Sequence, residues 1–220
     1  MTIKTTKIAL FTLFFSLTGV VDASPIHFDF EAAPDNNTHD SLPMTAGGVP
    51  LSVTAWAKDS ANNWFQITGA YGTYNGDSAG VYNGLYGLGV YLANSDDSYS
   101  LDGADGLNTG LDLDEGLLFS FDRQVTLSHI NFGSWGGSDD FNLDIDGVTV
   151  FSDNANGGND HYSGDHLGTQ FMIWADGDSD SFRIQDLDVT AVPEAPTFAL
   201  LGIGLAGLIG ARRRWNQPGV

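Results

Sequence analysis

From Phe141 to Phe151 apolar and polar residues alternate on both sides of Asp146-Gly147. An Asp-Gly pair between two such runs is the strongest short-range signal for a β-hairpin, because both central residues of the tight turn take positive φ. The same period of two recurs through residues 24–192, where no stretch sustains a 3.6-residue apolar period over three turns. Residues 50–56 place Leu51, Val53 and Ala55 on one face and Ser52, Thr54 and Trp56 on the other. Residues 117–121 form a short apolar run suited to a central strand, and 125–132 follow as another strand after Asp122-Arg123. Residues 171–174 and 181–189 are expected as a last strand pair, with loop-rich stretches 94–110 and 153–168 at the ends of the domain. These patterns predict an all-β chain, a two-sheet antiparallel β-sandwich of jelly-roll type over residues 24–191.

Composition narrows the function. Of 220 residues, 28 are acidic and 8 basic, a formal net charge of −20, and there is no cysteine. A disulfide scaffold and a Cys-ligated zinc site are therefore excluded. Between Ser24 and Val192 the only basic residues are Lys58, Arg123 and Arg183, set against 26 acids, which leaves −23. Such a balance argues against a phosphate-backbone partner, which needs clustered Lys and Arg, so no nucleic acid is expected. Only Glu31 and Glu115 among those acids are glutamates. Aspartate disfavours helix interiors and favours turns and caps, in keeping with strands joined by loops.

The two ends read as addresses. Residues 1–23 carry Lys4 and Lys7, then an apolar run, then small residues before Ser24. This is the layout of a secretory signal peptide cleaved between Ala23 and Ser24. The other end has Pro193-Glu194-Ala195-Pro196, an uncharged glycine-rich stretch over 198–211, and Arg212-Arg213-Arg214. The apolar stretch is expected as a transmembrane helix, with the arginines holding its end on the cytoplasmic side. This tripartite order over residues 192–215 resembles the PEP-CTERM sorting signal. The resemblance implies processing near Pro193-Glu194 by an exosortase, a membrane protease-transpeptidase of Gram-negative bacteria that make exopolysaccharide. It implies an exported protein of the cell surface or extracellular matrix, held in the inner membrane only until the tail is removed. Exosortase and the secretion machinery are then its partners, with exopolysaccharide and biofilm its setting.

A second likeness lies inside the domain. Gly87-Leu88-Gly89-Val90-Tyr91, an Asp-rich gap, and Asp114-Glu115-Gly116-Leu117-Leu118-Phe119-Ser120-Phe121-Asp122 follow one another in that order. This order, and the closing run 182–187, is similar to that of exosortase-dependent surface proteins. It carries fold and localisation and no catalytic residue.

Candidate chemistry falls into four groups. Asp176, Asp178 and Asp180 stand at alternate positions of an expected turn, the spacing with which oxygen ligands wrap calcium; a solvated loop is the competing reading. The 142–153 stretch imitates a calcium-loop spacing but alternates as a hairpin, with Asn142 and Asp144 expected on its outer face. Tyr71, Tyr74, Tyr82 and Tyr86, with Trp56 and Trp64, are candidates for stacking on sugars; covering a sheet face is the alternative. Asp160-His161 and Asp165-His166 repeat a pair five residues apart; a zinc or copper site there would need a third ligand and a rigid frame, exposed loop polarity is the default reading, and His27, His39 and His129 show no partner pattern. No nucleophile elbow, zinc-protease motif, phosphate loop or cysteine nucleophile is present, so a non-enzymatic protein is expected. A calcium-dependent carbohydrate-binding module is the first alternative and a polysaccharide-degrading enzyme the second.

Overall fold

Asp146 and Gly147 take φ of 49° and 79°, the left-handed pair that a type I′ turn requires. The expected hairpin forms around them as β12 (Phe141–Ile145) and β13 (Val148–Asn154) in the computed structural model. The structure describes residues 24–58, 63–69, 73–74, 77–91, 100–103, 114–155, 158–175 and 177–193. The signal segment 1–23, Tyr71, Asp176, and the tail from Glu194 onward, with Pro196, the apolar stretch 198–211 and Arg212, Arg213 and Arg214, lie outside the described residues.

One strand organises the rest. Residues 117–121 and 125–132, expected as separate strands, run together in β11 (Asp114–Gly133). Along one edge β11 pairs with β14 (His161–Trp174). Along the other it pairs first with β4 (Val49–Lys58), through Asp114 to Phe121, and then with β15 (Gly177–Ala191), through Val125 to Gly133. The change of partner falls at Asp122-Arg123-Gln124, where β11 advances from Ser120 to Val125 while β14 moves only from Gln170 to Gly168. The polar break that suggested two strands is thus an irregularity within one. The expected last pair is corrected as well: β14 and β15 flank β11 on opposite edges. Their nearness in sequence is a local signal, whereas pairing is decided by which edges remain open. Residues 161–168, expected in a loop, are the first half of β14.

Shorter strands extend this frame. β3 (Leu42–Ala46) and β5 (Trp64–Gln66) pair with β4. β1 (Ile26–Asp29), β9 (Gly87–Tyr91) and β10 (Leu101–Gly103) pair with β15, and β8 (Gly80–Gly84) and β2 (Asn37–His39) continue outward from β9. Among the described residues thirteen strands form one branched antiparallel sheet; β6 (Thr73–Tyr74) and β7 (Asp77–Ser78) pair separately. The described residues are all-β and mostly antiparallel, as their alternation predicts. Residues Ser24–Val192 form one compact unit.

The alternation also sorts side chains as expected. Leu51, Val53, Ala55 and Ala57 of β4, Leu117, Phe119 and Phe121 of β11, and Phe171 and Ile173 of β14 are buried together. Phe28 of β1 meets Phe121 edge-on at 5.8 Å, and Phe30 meets Phe119 at the same distance, although β1 and β11 are not hydrogen-bonded neighbours. Phe132 packs against Phe141 at 4.9 Å and Phe182 at 5.3 Å. Burial of these rings is the main favourable term for a chain with no cross-link. One expectation for the hairpin is corrected: Asn142 is fully buried, its Oδ1 accepting the Asp153 N–H at 3.1 Å. Val148 and Val150 of β13, an edge strand, are exposed.

Candidate functional site

The candidate aromatic residues divide into two groups on different strands. The first lies at the tip of the β8–β9 hairpin, where Leu85 and Tyr86 are 63% and 60% exposed. The Arg183 guanidinium, from β15, stands 5.3 Å from the Tyr82 ring and 5.9 Å from that of Tyr86. Tyr82 donates its hydroxyl to Asn36 Oδ1 at 3.4 Å. An exposed flat ring beside a cation and hydroxyl groups can stack on the apolar face of a sugar while donating hydrogen bonds at its edge. Tyr91, at the far end of β9, is buried in the core. Tyr74 lies in β6.

The second group is packed rather than open. Lys58 Nζ sits 3.8 Å from the Trp174 ring and 5.5 Å from the Trp64 ring, and is ion-paired with Asp114. Trp64 meets Trp174 edge-on at 5.5 Å, and Trp174 is only 7% exposed. Gly116, the register partner of both Trp56 and Trp174, makes room for this arrangement: a Cβ there would lie 2.8 Å from Trp174 Cβ. Trp56 donates its indole N–H to Thr54 Oγ1 at 2.9 Å. Trp174, Lys58 and Arg183 were not legible as members of either group, since each joins through strand pairing distant in sequence.

The acidic residues are used mainly as hydrogen-bond acceptors. Asp180, 5% exposed, accepts the Asp140 N–H at Oδ1 over 3.0 Å. Asp139, 4% exposed, accepts the Gly136 N–H. Asp178 lies within β15, so the run expected as a turn is strand from Gly177 onward. Among the described residues no three His, Cys, Asp or Glu side chains are arranged to hold a metal ion. Burial alone would push the Asp146 carboxyl up, but the Thr169 hydroxyl and the Thr169 and Gln170 N–H groups, all within 3.0 Å, together hold it below the ordinary range. His27 is raised, chiefly by its 2.7 Å hydrogen bond to Asp188. The exposed Asp122 is lowered by its pairing with Arg123.

The last strand ends at Ala191, and the Val192 N–H bonds the Gln124 carbonyl at 3.1 Å. Among the described residues no helix is long and apolar enough to cross a membrane. Residues 191–214 match the PEP-CTERM protein-sorting motif. No curated protein and no solved structure matches the chain. The motif indicates an exported surface protein sorted by an exosortase.

Proposed function

We propose that this chain, sorted by the motif at residues 191–214, serves as a non-enzymatic component of the cell surface or extracellular matrix of a Gram-negative bacterium, in association with exopolysaccharide. The observation that carries the reading is where the folded unit stops. Among the described residues the last strand ends at Ala191 and the Val192 N–H bonds the Gln124 carbonyl, so cleavage near Pro193-Glu194 falls after these pairings and leaves them in place. What remains is a β-rich shell of charge −23, whose self-repulsion favours divalent counter-ions. An anionic polysaccharide would meet it through such ions, because direct contact opposes like charges. The same reading takes the branched sheet as a two-layer sandwich of jelly-roll type. The Phe28–Phe121 contact between strands that do not pair, and the Phe30–Phe119 contact just beyond β1, support it.

Fractionation of native cells tests this. The protein is expected to travel with the exopolysaccharide in millimolar calcium or magnesium and to be released by a chelator. Recovery free of polysaccharide under both conditions would contradict the association.

A second reading, a carbohydrate-binding module aided by calcium, is favoured by the exposed Tyr86 beside Tyr82 and Arg183. It expects glycan binding that Tyr86→Ala abolishes, and a calcium-dependent rise in Tm that Asp178→Ala removes. A blank glycan array would leave the structural role.

A further inference from the structure

Leu85 and Tyr86 occupy the centre of the tight turn between β8 and β9, across which Gly84 pairs with Gly87. Turns favour Gly, Asn, Asp, Ser and Pro at such positions. Here both residues are large, and both are more than half exposed. A choice made against local propensity that also leaves apolar surface in water marks a functional position rather than a structural one. The turn is nevertheless held firmly, because glycines let it close onto its neighbours. A Cβ on Gly84 would lie 2.3 Å from Tyr82 Cε1, and one on Gly87, whose φ is 98°, would lie 2.3 Å from the Ile184 carbonyl oxygen. A Cβ on Gly133 would lie 2.4 Å from the Tyr86 carbonyl oxygen. The backbone beneath Leu85 and Tyr86 is thus seated on β15 and on the end of β11.

Polar groups reach the same corner. The position that meets the Tyr86 carbonyl above Gly133 also lies 3.1 Å from Gln185 Nε2. β11 passes from Asn131 to Phe132 while β15 passes from Asp186 to Ile184, which leaves Gln185 without a register partner on β11. An irregularity of this kind re-aims the side chain of the extra residue. The Gln185 amide donates to Glu31 Oε1 at 2.9 Å and accepts from Asn131 Nδ2 at 3.2 Å. The Tyr86 ring lies 5.9 Å from the guanidinium of Arg183, two residues before Gln185 on β15.

We infer that this corner is a subsite for a neutral hexopyranose unit of a glycan chain, bound without calcium. The inference rests on the carbohydrate-binding reading, narrows it to neutral sugars and separates it from the ion. Tyr86 supplies a flat face for the apolar side of the sugar ring, and Leu85 flanks it. Sugar hydroxyls both donate and accept, and the Gln185–Glu31 pair offers both functions at the edge of the corner. An apolar occupant, whether lipid or protein, would strip water from Glu31 and Gln185 without replacing its hydrogen bonds. An acidic sugar would meet Glu31 on a body of charge −23.

Calorimetric titration of the untagged full chain with cellotetraose, laminaritetraose and galactotetraose, and with an alginate tetramer as the acidic counterpart, tests the inference. At least one neutral tetrasaccharide is expected to bind saturably and equally well in calcium and in a chelator, and the alginate tetramer is expected not to bind in the chelator. Tyr86→Ala should weaken the neutral sugar at least about tenfold and Gln185→Ala about three- to tenfold, while Tyr86→Phe and Trp64→Phe stay within about twofold. NMR spectra of the unsubstituted chain give a readout free of any folding defect: the Tyr86 ring and Gln185 side-chain amide signals should move together as the sugar is added. Sugar binding that survives Tyr86→Ala, that needs calcium, or that leaves those signals fixed would overturn the subsite and leave the carbohydrate-binding reading standing. Alginate binding in the chelator that Tyr86→Ala abolishes would overturn the neutral class. Absence of saturable binding by every neutral tetrasaccharide, or self-association lost with Tyr86→Ala in its place, would overturn the subsite and that reading together.

Discussion

Asp146 has two functions at one turn. Its backbone supplies the first left-handed position of the β12–β13 hairpin, and its carboxylate accepts three hydrogen bonds from Thr169 and Gln170 of β14. The turn is thereby tied to a strand more than twenty residues away. Asp146→Ala should lower stability by about 1 kcal/mol in denaturant unfolding, the usual net worth of such bonds at an exposed site. The folded carboxyl titrates below its ordinary 3.8, so its contribution is present above that pH and disappears as the pH falls through the lower folded value. The difference between parent and variant should therefore narrow in acid to the part set by the left-handed backbone position, which alanine disfavours at any pH. His27 behaves in the opposite sense. Its pair with Asp188 raises the imidazole above 6.5, so the stabilisation is full below 6.5 and lost as the pH rises through the folded value. An NMR titration should place His27 above 6.5, and Asp188→Asn should return it toward that value.

At the scale of elements, β11 is the spine and Gly116 one of its constrained points. Trp174 lies so close to Gly116 that an added Cβ would meet Trp174 Cβ at 2.8 Å and Met172 Sδ at 3.1 Å. Gly116→Ala should cost about 1–3 kcal/mol through overpacking and shift tryptophan fluorescence as Trp174 and Trp64 are displaced. Unchanged Tm and emission would contradict this role. Features decided locally were legible: the Asp146-Gly147 turn and the buried face of β4. Those decided by pairing were not. Nothing in residues 122–124 says that β11 continues while exchanging β4 for β15, and nothing near Trp174 says that it will cover Gly116 and meet Lys58. Tyr82 and Tyr86 were legible as candidates for stacking, but Arg183 joins them only through the β9–β15 contact. His129 showed no pattern alone because the ring it stacks on, that of His161, stands on another strand.

For the whole molecule the dominant fact is charge. The three basic residues of the folded unit are each engaged within it: Lys58 with Asp114, Arg123 with Asp122, and Arg183 against Tyr82 and Tyr86. The aspartates are left to define a strongly anionic surface, which favours divalent counter-ions. The account rests on both extremities being removed and the body between them released outside the cytoplasm. Intact-mass spectrometry of the protein purified from its native host measures this directly. The account predicts an amino terminus at Ser24, a carboxyl terminus at or near Pro193-Glu194, and any attached lipid or glycan as added mass at that end. Recovery of the full 220-residue chain from the cytosol, with residues 1–23 and the Arg212–Arg214 cluster still present, would contradict it.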